Sequence, residues 1–341
     1  MAIRVQPLRD LAKIQHYYGF RYLLNPGVHE KIFDKLDLPQ TYQDTSKLKV
    51  LDLYPGPGQH SAIFHNRFKP LQHVLMDARP DFVKHLRGLS STQNDSFQLY
   101  GKDPYEWQSY TDLIDVEKKF VPSKRSLDSI HDEFLVLANL TGMVGEGLFM
   151  QWLACVGNRN WLHRFGRVKM LVWVLESTAM KILARPGDQL RSKCSVVADT
   201  FTDTKLVATM ETKNLHKFGQ GVIDSHKPVL FPENDVWMPS GKPISLLEVN
   251  PSKHNIDLDN FDYVTKHLLI LRSTPLCEAF ESLGHGGRDY FTTVIKDKKF
   301  LRKCPKELTS SEFLMITEAF VNWPFKPDIY MDFIDVFQDN D

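Results

Sequence analysis

The feature that most constrains the fold of this chain is an apolar strand that runs directly into a glycine-containing turn and then into a helix. The strand is 48–53, the turn is Tyr54-Pro55-Gly56-Pro57-Gly58, and helical spacing continues to about Phe68. Similar strands recur through about residue 180, and a helix is expected over residues 80–89. The further predicted strands cover residues 73–76, 97–100, 134–139 and 168–174. Because strands that alternate with helices pair in parallel beneath those helices, the sequence predicts an α/β fold with a mostly parallel sheet.

The pattern changes in the second half of the chain. Two late strands, 205–209 and 244–249, are expected to close the sheet as an antiparallel edge pair. After residue 257 the apolar residues recur at spacings of three and four, which indicates helices only. Those helices are expected over residues 263–271, 276–283, 290–295 and 311–322. The predicted domains are therefore an α/β domain (1–256), a small all-helical domain (257–322) and a flexible C-terminal tail (323–341).

Composition excludes some classes of protein and leaves others open. Lys+Arg and Asp+Glu both number 42 in 341 residues, so only a local patch could favour nucleic acid. The four cysteines are far apart, so no zinc knuckle, other metal site or disulfide framework is predicted. No segment approaches the roughly 20 apolar residues of a membrane span. The basic bias of the first 24 residues suits organelle import, but it suits an ordinary surface helix equally well.

Polar or glycine residues follow four of the predicted strands at the point where each strand ends. In an open parallel sheet these ends meet at the edge where ligands bind. Glycines admit a ligand close to the backbone, and carboxylates there can accept ribose hydroxyls or an adenine amino group. Taken singly, the glycines could form a plain tight turn and the acids could be helix caps. Because Ser61 replaces the third glycine of a dinucleotide-binding loop, S-adenosylmethionine is favoured over NAD. The candidate cofactor residues are Asp52, Gly56, Gly58, Asp77, Asp103 and Asn139.

Residues 159–193 are rich in cations, and only Glu176 and Asp188 oppose them. Trp161, Phe165 and Trp173 are interleaved with the cations. Cations with aromatic rings suit phosphate neutralisation and stacking on unpaired bases. The structural alternative is a solvated helix face beside core aromatic residues. The candidate nucleic-acid-binding residues are Arg159, Arg164, Arg167, Lys169, Lys181, Arg185, Arg191 and Lys193.

Several stretches spread along the whole chain carry a family resemblance. They are Tyr18 to Pro26, Ile32 to Leu38, Leu48 to Gly58, Asn158 to Leu171, Leu183 to Gly187, Phe201 to Leu206, Ser282 to Gly287 and Trp323 to Asp328. In these the sequence resembles the ribosomal RNA adenine N6-dimethyltransferases, and in particular the transcription-factor branch of that family in yeast mitochondria. The resemblance implies a class I S-adenosylmethionine methyltransferase fold with a Rossmann-like sheet. It also adds Leu23 to the candidate cofactor residues.

Two departures from the enzyme pattern bear on activity. Tyr54 stands where the glycine loop of the enzymes has a glycine, and its ring is expected to crowd the cofactor. The catalytic motif of the enzymes is Asn-Leu-Pro-Tyr, whereas this chain has Asn139-Leu140-Thr141-Gly142. A flipped adenine without the motif's ring loses stacking worth about 1–3 kcal/mol. We therefore expect methyl transfer to be absent or vestigial, and S-adenosylmethionine not to be required.

The resemblance also implies partners and a compartment. It predicts a mitochondrial matrix protein that gives promoter-specific initiation to the single-subunit mitochondrial RNA polymerase and holds melted promoter strands. The tail after Phe325 would reach toward the template. The alternative is an active ribosomal RNA adenine dimethyltransferase. A small-molecule methyltransferase is least favoured, because a helical domain beside the cleft is typical of a large substrate.

Overall fold

A computed structural model describes residues 2–3, 19–90, 95–237 and 241–329. The described chain divides into two compact units, which are considered separately below. The first contains the residues up to 183 together with 201–253, and the second contains 184–200 together with the residues from 254 onward. The first 24 residues, whose basic bias suits a surface helix or an import signal, lie largely outside the described residues.

Strands and helices alternate through the first unit, as the sequence predicts. The strands of the described residues are β1 (Tyr22–Leu23), β2 (Lys49–Leu53), β3 (Gln72–Met76), β4 (Phe97–Tyr100), β5 (Ile130–Asn139), β6 (Arg167–Leu175), β7 (Thr202–Met210), β8 (Val229–Phe231), β9 (Val236–Trp237) and β10 (Ile244–Pro251). The α-helices are α1 (Pro26–Leu36), α2 (Leu38–Thr41), α3 (Gln59–Phe68), α4 (Pro80–Ser90), α5 (Trp107–Thr111), α6 (Gly145–Asn158), α7 (Glu176–Ile182), α8 (Lys193–Phe201), α9 (Gln220–His226), α10 (Leu258–Ile270), α11 (Leu276–Ala279), α12 (Gly287–Val294) and α13 (Ser310–Val321).

Eight strands form one sheet in the order β4-β3-β2-β5-β6-β10-β7-β8. The neighbours from β4 to β6 are parallel, whereas β10 is antiparallel to both β6 and β7. Val50, Leu51 and Leu53 of β2 are all fully buried, as expected of a strand covered by helices on both faces. The carboxyl ends of β2, β3, β4 and β5 therefore lie side by side along one edge.

The prediction for the late strands is only partly right. β7 and β10 do pair antiparallel, but they do not form the edge, because β10 lies between β6 and β7 and the short strand β8 follows β7. Seven of the eight residues of β10 are buried, which is typical of an interior strand. Two features were not predicted from the sequence. They are the strand β8 and the pairing of β1 with β9, in which Tyr22 lies opposite Trp237.

The second unit is a set of helices around an aromatic core. A capping box begins α13, in which the Thr309 hydroxyl accepts from the Glu312 N–H and the Glu312 carboxylate accepts from the Thr309 N–H. The loop and helix over 184–200 also belong to this unit, whereas the predicted boundary placed them in the α/β domain. Buried Arg191 links residues 184–200 to the rest of the second unit, because its guanidinium donates to the carbonyl oxygens of Ala184 (2.9 Å) and Leu308 (3.3 Å).

The predicted tail begins inside this core. Trp323 is buried, and its ring stacks on Tyr290 with centroids 5.6 Å apart. Phe325, two residues later, is 81% exposed. Residues 330–341 lie outside the described part of the chain. No helix within the described part is both long and apolar enough to span a membrane.

Candidate functional site

The seven candidate cofactor residues all belong to the first unit, and they lie on strands β1 to β5 or in the segments that follow those strands. Leu23 is in β1, Asp52 is in β2, and Asn139 ends β5. Gly56 and Gly58 lie in the turn that follows β2. Asp77 follows β3 directly, and Asp103 follows β4. The edge thus has the layout of an adenosine-cofactor site. A cofactor could bind there only if these carboxylate and amide groups are not already bonded within the chain.

Asp77, the expected ribose acceptor, is engaged by the chain itself. Its carboxylate is fully buried and forms a two-point ion pair with Arg79, in which Nε donates to Oδ1 (2.8 Å) and Nη2 donates to Oδ2. The backbone N–H groups of Arg79 (3.0 Å) and Gly56 (3.4 Å) also donate to it. Both oxygens that a ribose would need are therefore already bonded.

The guanidinium of Arg79 is enclosed by aromatic rings. Its central carbon lies 4.3 Å from the centroid of Phe20, 4.5 Å from Phe82 and 5.3 Å from Tyr54. Such distances allow attraction between a cation and the ring faces, of about 2 kcal/mol when the groups are desolvated. A planar, charged group sandwiched between rings thus occupies this part of the edge.

One carboxylate oxygen of Asp103, the expected partner of an adenine amino group, is also bonded within the chain. The Tyr54 hydroxyl donates to its Oδ1 at 2.5 Å, and the Tyr105 N–H donates to the same oxygen at 2.9 Å. Burial and the bond to Asp103 raise the pKa of Tyr54 above its ordinary value. Tyr54 has a φ of 56°, a left-handed conformation that is uncommon for a residue with a side chain. The tyrosine that replaces a glycine therefore turns into the site and fills it.

No residue larger than glycine fits at position 56, because the ring of Tyr22 lies against Gly56. A Cβ at Gly56 would lie 2.2 Å from Cζ of Tyr22, which no real structure allows. Gly58 is close to α4 in the same way, since its Cβ would lie 2.9 Å from Cδ2 of Leu86. The two glycines therefore make room for the chain's own side chains rather than for a ligand.

Asn139 and Thr141, in the stretch compared above with the enzymes' catalytic motif, hold the backbone of Arg21. The side-chain amide of Asn139 donates to the carbonyl of Arg21 (2.7 Å), and the Arg21 N–H donates to the Thr141 hydroxyl (2.8 Å). That hydroxyl also lies 2.7 Å from Oδ1 of Asn139. A Cβ at Gly142 would lie 2.6 Å from Cε2 of Phe20, so the Phe20 ring fills the space beside this glycine.

A small cavity remains at this edge. It measures about 20 Å³, which is room for about one water molecule, and its lining includes His29, Asp52, His60 and Asn139. The two histidines meet through their Nδ1 atoms at 3.1 Å, and His29 Nε2 lies 3.0 Å from the Leu23 carbonyl. Because that carbonyl can only accept, His29 must donate from Nε2, and His60 then donates to His29 Nδ1. Burial lowers the pKa of His29 to about 4.

The residues present do not fit S-adenosylmethionine. Asp77, Asp103 and Asn139 are all hydrogen-bonded within the chain, and the remaining cavity is far smaller than the roughly 300 Å³ of a small ligand pocket. Sequence reasoning found the acids and flagged Tyr54, but it missed Phe20, Tyr22 and Arg79. Within the described ranges, no group of three His, Cys, Asp or Glu side chains could hold a metal ion.

Two of the predicted nucleic-acid residues are buried in ion pairs within the chain. Lys169 is buried, where it donates to Glu248 at 2.6 Å, and Arg191 is fully buried beside Asp199 at 3.0 Å. Lys169 cannot contact a phosphate without leaving the buried carboxylate of Glu248, and Arg191 would have to leave the partly buried carboxylate of Asp199. Arg159, Arg164, Arg167 and Lys181 belong to the first unit, and Arg185, Arg191 and Lys193 belong to the second. The partners of the others are Asp115 for Arg164, the Pro251 carbonyl for Arg167, Glu146 for Lys181, Asp199 for Arg185 and Asp262 for Lys193.

The sheet order, the strand-end acids and the separate helical unit define a class I methyltransferase fold, here with a self-filled cofactor edge. The sequence matches the ribosomal RNA adenine dimethylase family over residues 11–318, and the chain belongs to that family. It is 62% identical, over the full length of both chains, to a protein of Lachancea kluyveri called mitochondrial transcription factor 1. A Saccharomyces cerevisiae protein with the same name is 50% identical, over 99% of this chain and 98% of its own.

Similarity to enzymes of the family is more distant. Mitochondrial dimethyladenosine transferase 1 of Bos taurus is 25% identical, over 61% of this chain and 55% of its own length. Among solved structures, a dimethyladenosine transferase from Plasmodium falciparum superposes with a TM-score of 0.59. It shares 12% sequence identity and covers 88% of this chain and 97% of its own. That likeness shows the fold.

Proposed function

We propose that this chain is a mitochondrial transcription initiation factor rather than a methyltransferase. It gives promoter-specific initiation to the single-subunit mitochondrial RNA polymerase in the matrix, and it binds DNA and stabilises the melted promoter. The observation that carries the proposal is the self-filled cofactor edge. The Arg79 guanidinium donates to Asp77, and the Tyr54 hydroxyl donates to Asp103. The side-chain amide of Asn139 donates to the Arg21 carbonyl. The whole-length similarity to proteins named as mitochondrial transcription factors supports the same function.

The alternative function, adenine dimethylation of ribosomal RNA, is favoured by one fact. The acids at the strand ends and Asn139 are all present. Methyl transfer, however, needs a site where the donor and the adenine meet, and the Phe20 ring fills the space beside Gly142. We therefore expect no labelled methyl group to pass from S-adenosylmethionine to ribosomal RNA.

Nucleic-acid contact is proposed for the exposed part of the predicted basic set. Arg159 and Arg164 are exposed, and Arg164 pairs with the equally exposed Asp115 at 2.6 Å. Exposed ion pairs contribute only about 0–1 kcal/mol, so a phosphate can replace the carboxylate at little cost. Lys169 and Arg191 are left out of this proposal because both are buried in ion pairs.

Run-off transcription tests the proposed function. Mitochondrial RNA polymerase is assayed on a duplex promoter and on the same promoter with the start site premelted, each with and without this chain. We expect initiation on the duplex to depend on the chain and initiation on the premelted template to depend on it much less. Equal duplex transcription with and without the chain would refute the proposal. Methylation of ribosomal RNA at enzyme-like turnover would support the alternative.

A further inference from the structure

A short segment of the second unit carries a cluster of cations that lies outside residues 159–193. Residues 296–302, here called the basic loop, are Lys-Asp-Lys-Lys-Phe-Leu-Arg. Four cations and one acid give the loop a charge of +3, although the whole chain has a formal net charge of zero. Seven residues span at most about 25 Å even when fully extended, so the four cations act as one local field.

The cations of the basic loop face solvent without acidic partners. Lys296, Lys298, Lys299 and Arg302 are all exposed, and none of them forms an ion pair with a described residue. The next cation, Lys303, differs, because it pairs with Glu312 at 2.5 Å. The members of the earlier basic set mostly have partners within the chain, whereas these four charges are available to a ligand.

The backbone of the basic loop is held in place. One carboxylate oxygen of Asp297 accepts from the N–H groups of Lys299 (2.8 Å) and Phe300 (3.2 Å), and its carbonyl accepts from the Leu301 N–H (3.0 Å). The Phe300 side chain is buried in the second unit. The one acid of the loop is therefore hydrogen-bonded to the loop's own backbone. Because the backbone is already ordered, binding through the four cations costs little conformational entropy.

We infer that the basic loop binds the phosphate backbone of duplex DNA. The inference rests on the proposed function, which requires contact with promoter DNA. Lysine and arginine without exposed rings suit phosphates rather than unpaired bases, because binding of single strands relies on aromatic stacking. The one ring of the loop, Phe300, is buried, so it offers no stacking surface. The contact neutralises charge and carries no sequence information.

The test compares the full chain with a variant in which Lys296, Lys298, Lys299 and Arg302 are all replaced by Gln. Binding to a short fluorescent promoter duplex is followed by anisotropy between 50 and 200 mM salt. Each phosphate contact contributes about 0.9 to the slope of log affinity against log salt. If all four cations contact phosphate, the magnitude of the slope falls by about 3–4 in the variant. The ratio of the DNA affinities of the two chains then changes about 100-fold between 50 and 200 mM salt.

A control variant removes the same charge from the first unit. Lys31, Lys84, Lys124 and Lys213 are exposed lysines scattered over that unit, and replacing all four with Gln should change the slope by less than one. Both variants should unfold close to the temperature of the unsubstituted chain, because substitutions at exposed positions ordinarily change stability little.

The outcomes separate the inference from the proposed function. An unchanged salt slope in the basic-loop variant overturns the inference, even if the unsubstituted chain still activates transcription on the duplex promoter. An unchanged slope with a loss of polymerase-dependent transcription shows that the loop contacts protein, and this also overturns it. Failure of the unsubstituted chain in the run-off assay, with the slope change intact, counts against the proposed function alone.

Discussion

Phe20 and Gly142 should behave as one packing unit, and a double-mutant cycle tests this. A methyl group added by Gly142→Ala would lie 2.6 Å from Cε2 and 2.9 Å from Cζ of Phe20, whereas real Cβ contacts do not fall below 3.0 Å. The ring must therefore move by at least several tenths of an ångström. The ring also packs against Arg79, whose guanidinium carbon is 4.3 Å from the ring centroid. Overpacking of this kind costs about 1–3 kcal/mol.

The companion change removes the ring. Phe20→Ala leaves a cavity and should cost about 3–5 kcal/mol by itself, since Phe20 is buried. In that background the methyl group of Gly142→Ala has space, so the double variant should be no less stable than Phe20→Ala. The coupling energy between the two positions should then be about 1–3 kcal/mol.

Free energies of unfolding from urea denaturation, followed by a probe in the first unit, measure the cycle. Gly147→Ala is the matched control, because this exposed glycine of α6 has no atom within 4 Å of its would-be Cβ. Replacing it should stabilise the chain by about 0.5–1 kcal/mol through helix propensity. If Gly142→Ala is as harmless as Gly147→Ala, or if the two changes at the site are additive, the packing argument is refuted.

Two further predictions concern buried charge. Lys169→Met should cost about 3–5 kcal/mol in urea denaturation, because it leaves Glu248 buried without its partner, and the added change Glu248→Leu should recover most of that loss; equal stability of the single and double variants would contradict this. The buried rings of His29 and His163 should together lower the free energy of unfolding by about 3–4 kcal/mol between pH 7 and pH 5, because burial lowers the pKa of His29 to about 4 and of His163 to about 3. The unfolded chain binds protons on these rings below about pH 6.5, whereas the folded chain does not until far lower pH, so acid favours unfolding. Denaturation curves at both pH values check the loss, and the variant with His29→Gln and His163→Phe should lose much less.

The sequence predicted the position of the candidate site better than its content. Asp52, Asp77 and Asn139 could be assigned to one edge because the carboxyl ends of neighbouring parallel strands must meet. That Arg79 folds back onto Asp77 could not be predicted in this way. A salt bridge two residues apart depends on the direction of both side chains, and Phe20 reaches the same place from far away in the sequence.

The basic residues show the same limit. Counting charges over residues 159–193 gave a cluster, but the count ignored partners from distant parts of the chain. Glu248 lies 79 residues from Lys169, and Leu308 lies 117 residues from Arg191. The basic loop could have been found from its composition alone. Its exposure and its freedom from acidic partners could not.

The way in which the cofactor edge is filled also bears on how this lineage can evolve. Tyr54, Arg79 and Phe20 each satisfy a buried polar group or fill a space that another residue leaves open. A reversion at any one of them would weaken the fold before a donor molecule could enter, and natural proteins have only about 5–15 kcal/mol of stability to lose. Opening this edge to a donor molecule would thus need several simultaneous changes through poorly folded intermediates. Packing as well as the altered motif therefore opposes entry of a donor molecule.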